Sequence, residues 1–157
     1  MSQINLAVWA ITDGLSTTCG NRSNGSFDTY RGTTTSYAGI AADGSCTGQS
    51  GKNEVSFGNI TGTYLAWTCT YSALWSIGEA DIKFDNSNRT WNTAATGCSG
   101  RYDLRGVATH EFGHFFGLKH SAQSAGQVMA PTTGTCNMAN RQLGRGDQEG
   151  LRQIYGN

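Results

Sequence analysis

The sequence has no surplus of charge: its 157 residues include 11 basic and 11 acidic side chains, a formal net charge of zero, and neither sign forms a run. Electrostatics therefore gives no reason to expect nucleic acid or an anionic membrane as partner. No apolar stretch is long enough to span a bilayer. The opening MSQINLAVW lacks the basic start, the long apolar segment and the small-residue cleavage site of a secretory leader. Lysine is scarce, and the three histidines of the chain, His110, His114 and His120, all fall between Leu104 and His120.

What is abundant is Gly, Ser, Thr and Asn, together with five cysteines at 19, 46, 69, 98 and 136. That composition reads as extracytoplasmic, and the length fits one domain with a proper core. Five cysteines cannot all pair internally, and spacing alone leaves the scheme open, reduced buried thiols included.

The stretch LRGVATHEFGHFFGLKH carries the chemistry, through the spacing H-E-x-x-H-x-x-G-x-x-H. On a helix, His110 and His114 face nearly the same way, while Leu104, Ala108, Phe112, Phe115 and Phe116 form an apolar back. Asp103 is the expected N-cap, and Gly117 the left-handed stop that returns His120 towards the other two. Three neutral imidazoles suit zinc with a fourth position open for water. Glu111 flanks that position without being a ligand, which fits a general base that later delivers the proton to the leaving amine.

With QVMAP at Gln127–Pro131 following, the helix, glycine turn, third histidine and methionine turn resemble the metzincin metallopeptidases. Ser121 directly after the third histidine is similar to their matrixin branch. The resemblance implies an α/β catalytic domain with a twisted mixed sheet, a backing helix, the active-site helix, the methionine turn and a closing helix. It implies an N-terminal subdomain of about residues 1–117 and a C-terminal one of about 118–157. Met129 and Pro131 would form the turn beneath the metal. Leu65 and Ala66 match the pair on the edge strand that binds substrate main chain as an added strand. LGRGDQEGLRQIYG resembles the closing helix, with Leu151 and Ile154 packing inward and Asp147 supporting the methionine turn; Gly146 stands where the family has another acid. Gly106, one turn before His110, leaves open space for medium to large apolar substrate side chains, unless the loop 132–141 fills it. A Cys98–Cys136 bridge would tie the segment ahead of the active helix to the one after the methionine turn.

The same resemblance implies hydrolysis of internal peptide bonds in proteins by a secreted, monomeric enzyme, here without leader or inhibitory pro-segment, as a mature or trimmed domain. Many members of that branch carry a second, structural zinc, but this sequence departs from the pattern and one zinc is expected. Trp67 and Lys83 stand where a second, structural zinc would need histidines, and the three histidines are already used. Asp85 opens DNSNRT, similar in place to an acidic calcium loop but poor in carboxylates, so calcium is expected to be loosely held or absent. Two other classes remain beside this reading: a secreted binding module with a structural or vestigial zinc, and an enzyme acting on a non-peptide bond. Closed structural zinc sites usually take four ligands, often cysteine, and no cysteine lies near these histidines.

Along the rest of the chain, Ile4, Val8, Ile11 and Leu15 form a helical stripe, giving a backing helix over Ser2–Thr18 capped by Gly20. The family strand ahead of that helix is then lacking, unless the chain is incomplete there or INLAVW is itself the strand. SFDTYRGTTT, NEVSFGNI, TYLAWTCTY and SIGEADIKF read as strands, and 41–53 as a loop. Four Asn-x-Ser/Thr matches, at Asn21, Asn24, Asn59 and Asn88, are what such a composition produces by chance.

Overall fold

The computed structural model of the protein describes residues 2–12, 25–26, 31–74 and 76–156. The fold is α/β: among the described residues it has three α-helices, a mixed three-stranded sheet and a two-stranded one. The chain forms two compact units, Tyr30–Thr90 and Met1–Thr29 with Trp91–Asn157, and each is taken by itself. The expected boundary near residue 117 is not where the units part. The active helix packs on both the first helix and the turn Ala139–Arg141, which keeps it in one unit with the segments that follow it.

The Tyr30–Thr90 unit is built on a three-stranded sheet in the order β1-β3-β2. Strand β1 (Val55–Gly58) runs parallel to β3 (Ser76–Asp85), and β2 (Ala66–Ala73) antiparallel to it. Each forms where alternating β-branched and aromatic residues predict it. The strand expected from SFDTYRGTTT is not formed over its described part: residues 31–35 are irregular and exposed, and threonine content alone gives them no strand to pair with. Residues 27–30 lie outside the described residues.

Ile60, Ile82 and Phe84 are fully buried, and Ala38, Ile40 and Cys69 form a second apolar cluster against Trp67 and Tyr71. Cys69 is disulfide-bonded to Cys46. Three carboxylates, Glu54, Glu79 and Asp81, are buried beside this apolar material. The amides of Gly39 and Glu54 donate to Asp81 at 2.8 and 2.9 Å, and those of Ser50 and Gly51 to Glu79 at 2.7 and 2.8 Å. These charge-assisted bonds offset desolvation and pin the loop 41–53 to β3. Burial still pushes the Asp81 carboxyl above its ordinary value; the two amides act the other way, and the nearby Glu79 and Glu54 charges add to the rise.

In the other unit, α1 (Gln3–Thr12) buries Ala7, Ala10 and Ile11. The expected continuation to Thr18, with Leu15 and the Gly20 cap, lies outside the described residues, as does Cys19. Two short parallel strands, β4 (Trp91–Asn92) and β5 (Tyr102–Asp103), lead directly into α2 (Leu104–Phe115). Cys98 and Cys136 are joined, the pair suggested by their positions on either side of the active helix and methionine turn. In α3 (Arg145–Tyr155) Leu151 is buried, whereas Ile154, expected inside as well, stands in the last turn and is 50% exposed. No helix among the described residues is long and apolar enough to cross a membrane.

Replacing Asp81 by Ala leaves the buried Glu54 amide without its acceptor, a loss of about 1–3 kcal/mol. Urea denaturation is expected to show that loss.

Candidate metal centre

Helix α2 starts where it does because Asp103, in extended conformation at φ −77° and ψ 110°, accepts the Gly106 amide on its side chain at 2.8 Å. It ends at Phe116, after which Gly117 takes φ 92°, a left-handed conformation that glycine adopts without a Cβ clash. Leu104, Ala108, Phe112 and Phe116 are buried along its back. His110 and His114 project from the opposite face, and the turn brings His120 back to them.

The three rings converge. His110 Nε2 lies 3.2 Å and His114 Nε2 3.1 Å from His120 Nε2, and the ligating atoms of the three residues all fall within 4.8 Å of one another. The far side of two rings is fixed by main chain: His110 Nδ1 is 2.7 Å from the Val128 carbonyl and His114 Nδ1 2.8 Å from that of Leu118. A carbonyl oxygen only accepts, so Nδ1 carries the proton on both rings and Nε2 turns a bare lone pair inward. Burial pushes both histidines below the ordinary value of 6.5, against the two carbonyl bonds, so both are neutral at neutral pH. The Nε2 atoms of His110 and His114 are thus free to act as donors to a zinc-type cation, each backed by the anchored Nδ1 typical of metal-ligating histidine, and His120 Nε2 lies beside both. The residues fit such an ion.

Glu111 is buried on α2 next to His110, and its charge acts on the His114 ring. Met129 is 1% exposed and packs so tightly under the helix that a β-carbon on Gly113 would run into its Sδ. Asp147, in the first turn of α3, is buried; it accepts the amides of Val128 at 2.8 Å, Met129 at 3.2 Å and Gly144 at 3.0 Å. The carboxylate thus holds the very residue whose carbonyl orients His110. Pro131 is exposed at the end of this turn.

Gly106 does not open onto free space. A β-carbon there would meet the Asn137 carbonyl and the Asn140 Cβ, each at 3.2 Å, and Asp103 Oδ1 at 3.3 Å. The loop takes up the room, so the missing side chain leaves no enlarged pocket. Leu65 and Ala66 belong to the other unit, Leu65 accepting the Asp85 amide at 2.9 Å and Ala66 opening β2 opposite Phe84. Arg141 is a buried residue of this unit that sequence reasoning missed. It is 8% exposed and grips Asp103 at 2.9 Å through Nε and 2.5 Å through Nη2.

Residues 54–156 match the family model for the matrixins, peptidase family M10. The sequence is 40% identical over 76 residues to neutrophil collagenase of Homo sapiens, a stretch that is 48% of this chain and 15% of the collagenase. It is 38% identical over 78 residues to matrix metalloproteinase-25 of Mus musculus, 48% of this chain and 12% of that protein. Over 76 residues it is 38% identical to matrilysin of Felis catus, again 48% of this chain and 27% of the other. The chain spans less than a third of the length of these relatives.

Gly113→Ala forces a methyl into the space of a methionine sulfur that has nowhere to go, and overpacking of this kind costs about 1–3 kcal/mol. A lowered melting temperature, with weaker metal retention on dialysis, is the expected result.

Proposed function

The chain belongs to the matrixin family, and from that premise we propose that it is a zinc-dependent endopeptidase that hydrolyses internal peptide bonds of proteins. The observation that carries this reading is the convergence of three Nε2 atoms, with His110 and His114 each anchored from behind by a backbone carbonyl. His110, His114 and His120 hold the zinc. When bound, zinc supplies Lewis acidity towards water and towards a scissile carbonyl.

The remaining work falls to the chain. Glu111 accepts a proton from the attacking water on its carboxylate and returns it to the departing amine nitrogen. What supports this role is that Glu111 is buried on the ligand-bearing helix and its charge acts on the His114 ring. Met129 supplies the floor, its amide held by Asp147, and Pro131 closes the turn at the surface. Main chain at Leu65 and Ala66 binds extended substrate; β2 forms one edge of the described sheet, which suits strand addition. Gly106 backs the site from within α2 and does not line a deep pocket.

One zinc is bound per chain. Among the described residues, the group of three or more potential ligands that comes together is the histidine triad. Lys83 Nζ donates to the Ile40 carbonyl at 2.8 Å, and Trp67 is packed edge to face against Tyr64; neither offers a lone pair. Calcium is weak or absent at the Asp85 loop, since Asp85 Oδ1 already accepts the amides of Ile60 at 3.3 Å and Ser87 at 3.0 Å. The two disulfides suit a secreted protein acting as a monomer on protein substrates.

Incubation with casein or gelatin tests the activity: cleavage is expected, abolished by a zinc chelator and restored by zinc. Glu111→Ala should keep the metal and the fold while turnover falls by about 10² to 10⁴. Near wild-type proteolysis in that variant would remove Glu111 from the reaction. Elemental analysis of dialysed protein should return one equivalent of zinc and no stoichiometric calcium; a second zinc surviving His120→Ala would reveal another site.

A further inference from the structure

Strands β2 and β3 meet at Ala73 and Ser76, which face each other in the ladder, so residues 74 and 75 alone connect them. A two-residue hairpin calls for positive φ at its first central position, where glycine, asparagine or aspartate normally stands. Here the residue is Leu74, at φ 57°. A leucine Cβ crowds the neighbouring carbonyl in that conformation, so the backbone by itself favours glycine or asparagine. Packing does not compensate, because Leu74 is 96% exposed, more than any other large apolar side chain among the described residues. Neither the turn nor the core therefore gives a reason for leucine at this place, and residues held against their preference in this way persist where they serve a contact.

The surroundings of the tip point the same way. From Trp67 to Gly78 the sequence holds no charged residue. Just below the turn the ladder slips: Tyr71 faces Glu79 and Ser72 faces Ile77, which leaves Gly78 as an extra residue on β3. A bulge of this kind sharpens the strand twist and re-aims the residues beyond it. The extra residue is on β3, so β2 runs on without interruption from Ala66 to Ala73. Among the described residues β2 pairs with β3 alone and forms the edge of its sheet. A peptide added to that edge at Leu65 and Ala66 is led along the strand towards Leu74, roughly 26 Å away at about 3.3 Å per residue. An uncharged tip has no attraction for anionic lipid, and one leucine is too little apolar surface to hold a protein on a bilayer. At the end of an edge that already binds main chain, the same leucine adds to an existing interaction.

We propose that Leu74 is an exosite for protein substrates: it takes an apolar side chain of the bound chain about eight residues from the one facing Ala66, and so favours long extended substrates. This rests on the endopeptidase reading, with strand addition at β2. Leu74 has no part in the chemistry. It adds binding that is the same before and during the reaction, which lowers KM and leaves kcat unchanged.

The test uses one cleavable core peptide extended at its N-terminal or its C-terminal end by a Ser/Thr-rich stretch, with leucines or serines around the eighth position out. For one of the two extensions, KM of the leucine peptide in wild type is expected to lie about five- to tenfold below that of the serine peptide, the effect of partly burying a leucine side chain. Values of kcat stay within about twofold. Leu74→Asn should erase the difference while cleaving the serine peptides and the unextended core as wild type does. Asparagine accepts the left-handed conformation, so this variant is expected to melt at or above the wild-type temperature. Leu74→Gly relieves the same strain and is scored in the same way. If Leu74 serves the fold instead, both variants melt lower and slow every peptide alike, and that outcome overturns the inference, as does an equal KM for leucine and serine peptides in wild type. Pelleting with phosphatidylcholine vesicles, or a dimer in sedimentation velocity, that depends on Leu74 while the peptides behave alike overturns it in favour of a lipid surface or a second copy. A wild-type protein that cleaves neither casein nor any of these peptides defeats the endopeptidase reading, and binding then judges Leu74. Fluorescence anisotropy of the dye-labelled peptides on Glu111→Ala should give a Kd about five- to tenfold lower for the leucine form, a gap that closes when Leu74→Asn is added. Equal Kd values overturn the inference.

Discussion

Imidazole rings that converge on one point must be held there by their surroundings before an ion can bind. For His110 and His114 the holding is done by backbone carbonyls, each of which depends on a turn. The Leu118 carbonyl is positioned by the left-handed Gly117, with the Gly117 amide on the His114 carbonyl at 2.9 Å and the Leu118 amide on that of Gly113 at 2.8 Å. The Val128 carbonyl is positioned by Asp147, which holds the amides on both sides of that peptide. Remove either support and the rings regain rotational freedom that metal binding would have to take away again.

Buried carboxylates receiving backbone amides recur through the molecule. Asp147 does this under the histidines, Asp103 at the head of α2, and Asp81 and Glu79 along β3. With 37% hydrophobic residues and 22 glycines, the sequence has little bulky apolar material per residue, and many of its connections are irregular. An anionic oxygen accepting an amide contributes about 1.5–3 kcal/mol, roughly twice a neutral bond. Such bonds give irregular loops a defined shape where side-chain packing alone is thin. Acidic residues that look like surface charges in the sequence are therefore internal fasteners of turns.

Periodicity made α2 legible, because its cap, apolar back, histidine face and glycine stop are all local: Asp103, Phe112, His114 and Gly117 lie within a few turns of one another. The three strands of the Tyr30–Thr90 unit were legible for the same reason. The threonine run at 33–35 misled, since β-branching favours a strand only when a neighbour exists to pair with it. At Gly106 the sequence left two outcomes, an open space or one filled by the loop 132–141, because Asn137 and Asn140 come near it only in the folded chain. Arg141 was invisible as a partner of Asp103, a contact between residues 38 apart in sequence; its one local signal was an arginine amid residues with no counter-ion nearby. Ile154 followed the helical pattern and still faces solvent, for periodicity says which side of a helix it occupies but not whether anything covers its last turn.

The dependence of the Val128 carbonyl on Asp147 has a consequence for how the molecule is made. During synthesis the chain emerges from its N-terminus, and all three histidines leave the ribosome before α3 does. Until Asp147 has folded back beneath them, the turn that aims His110 has no support, and the ligands exist without their geometry. The metal-binding geometry of His110 is thereby tied to the docking of α3, and it takes shape only after the part of the chain that carries the ligands has been made.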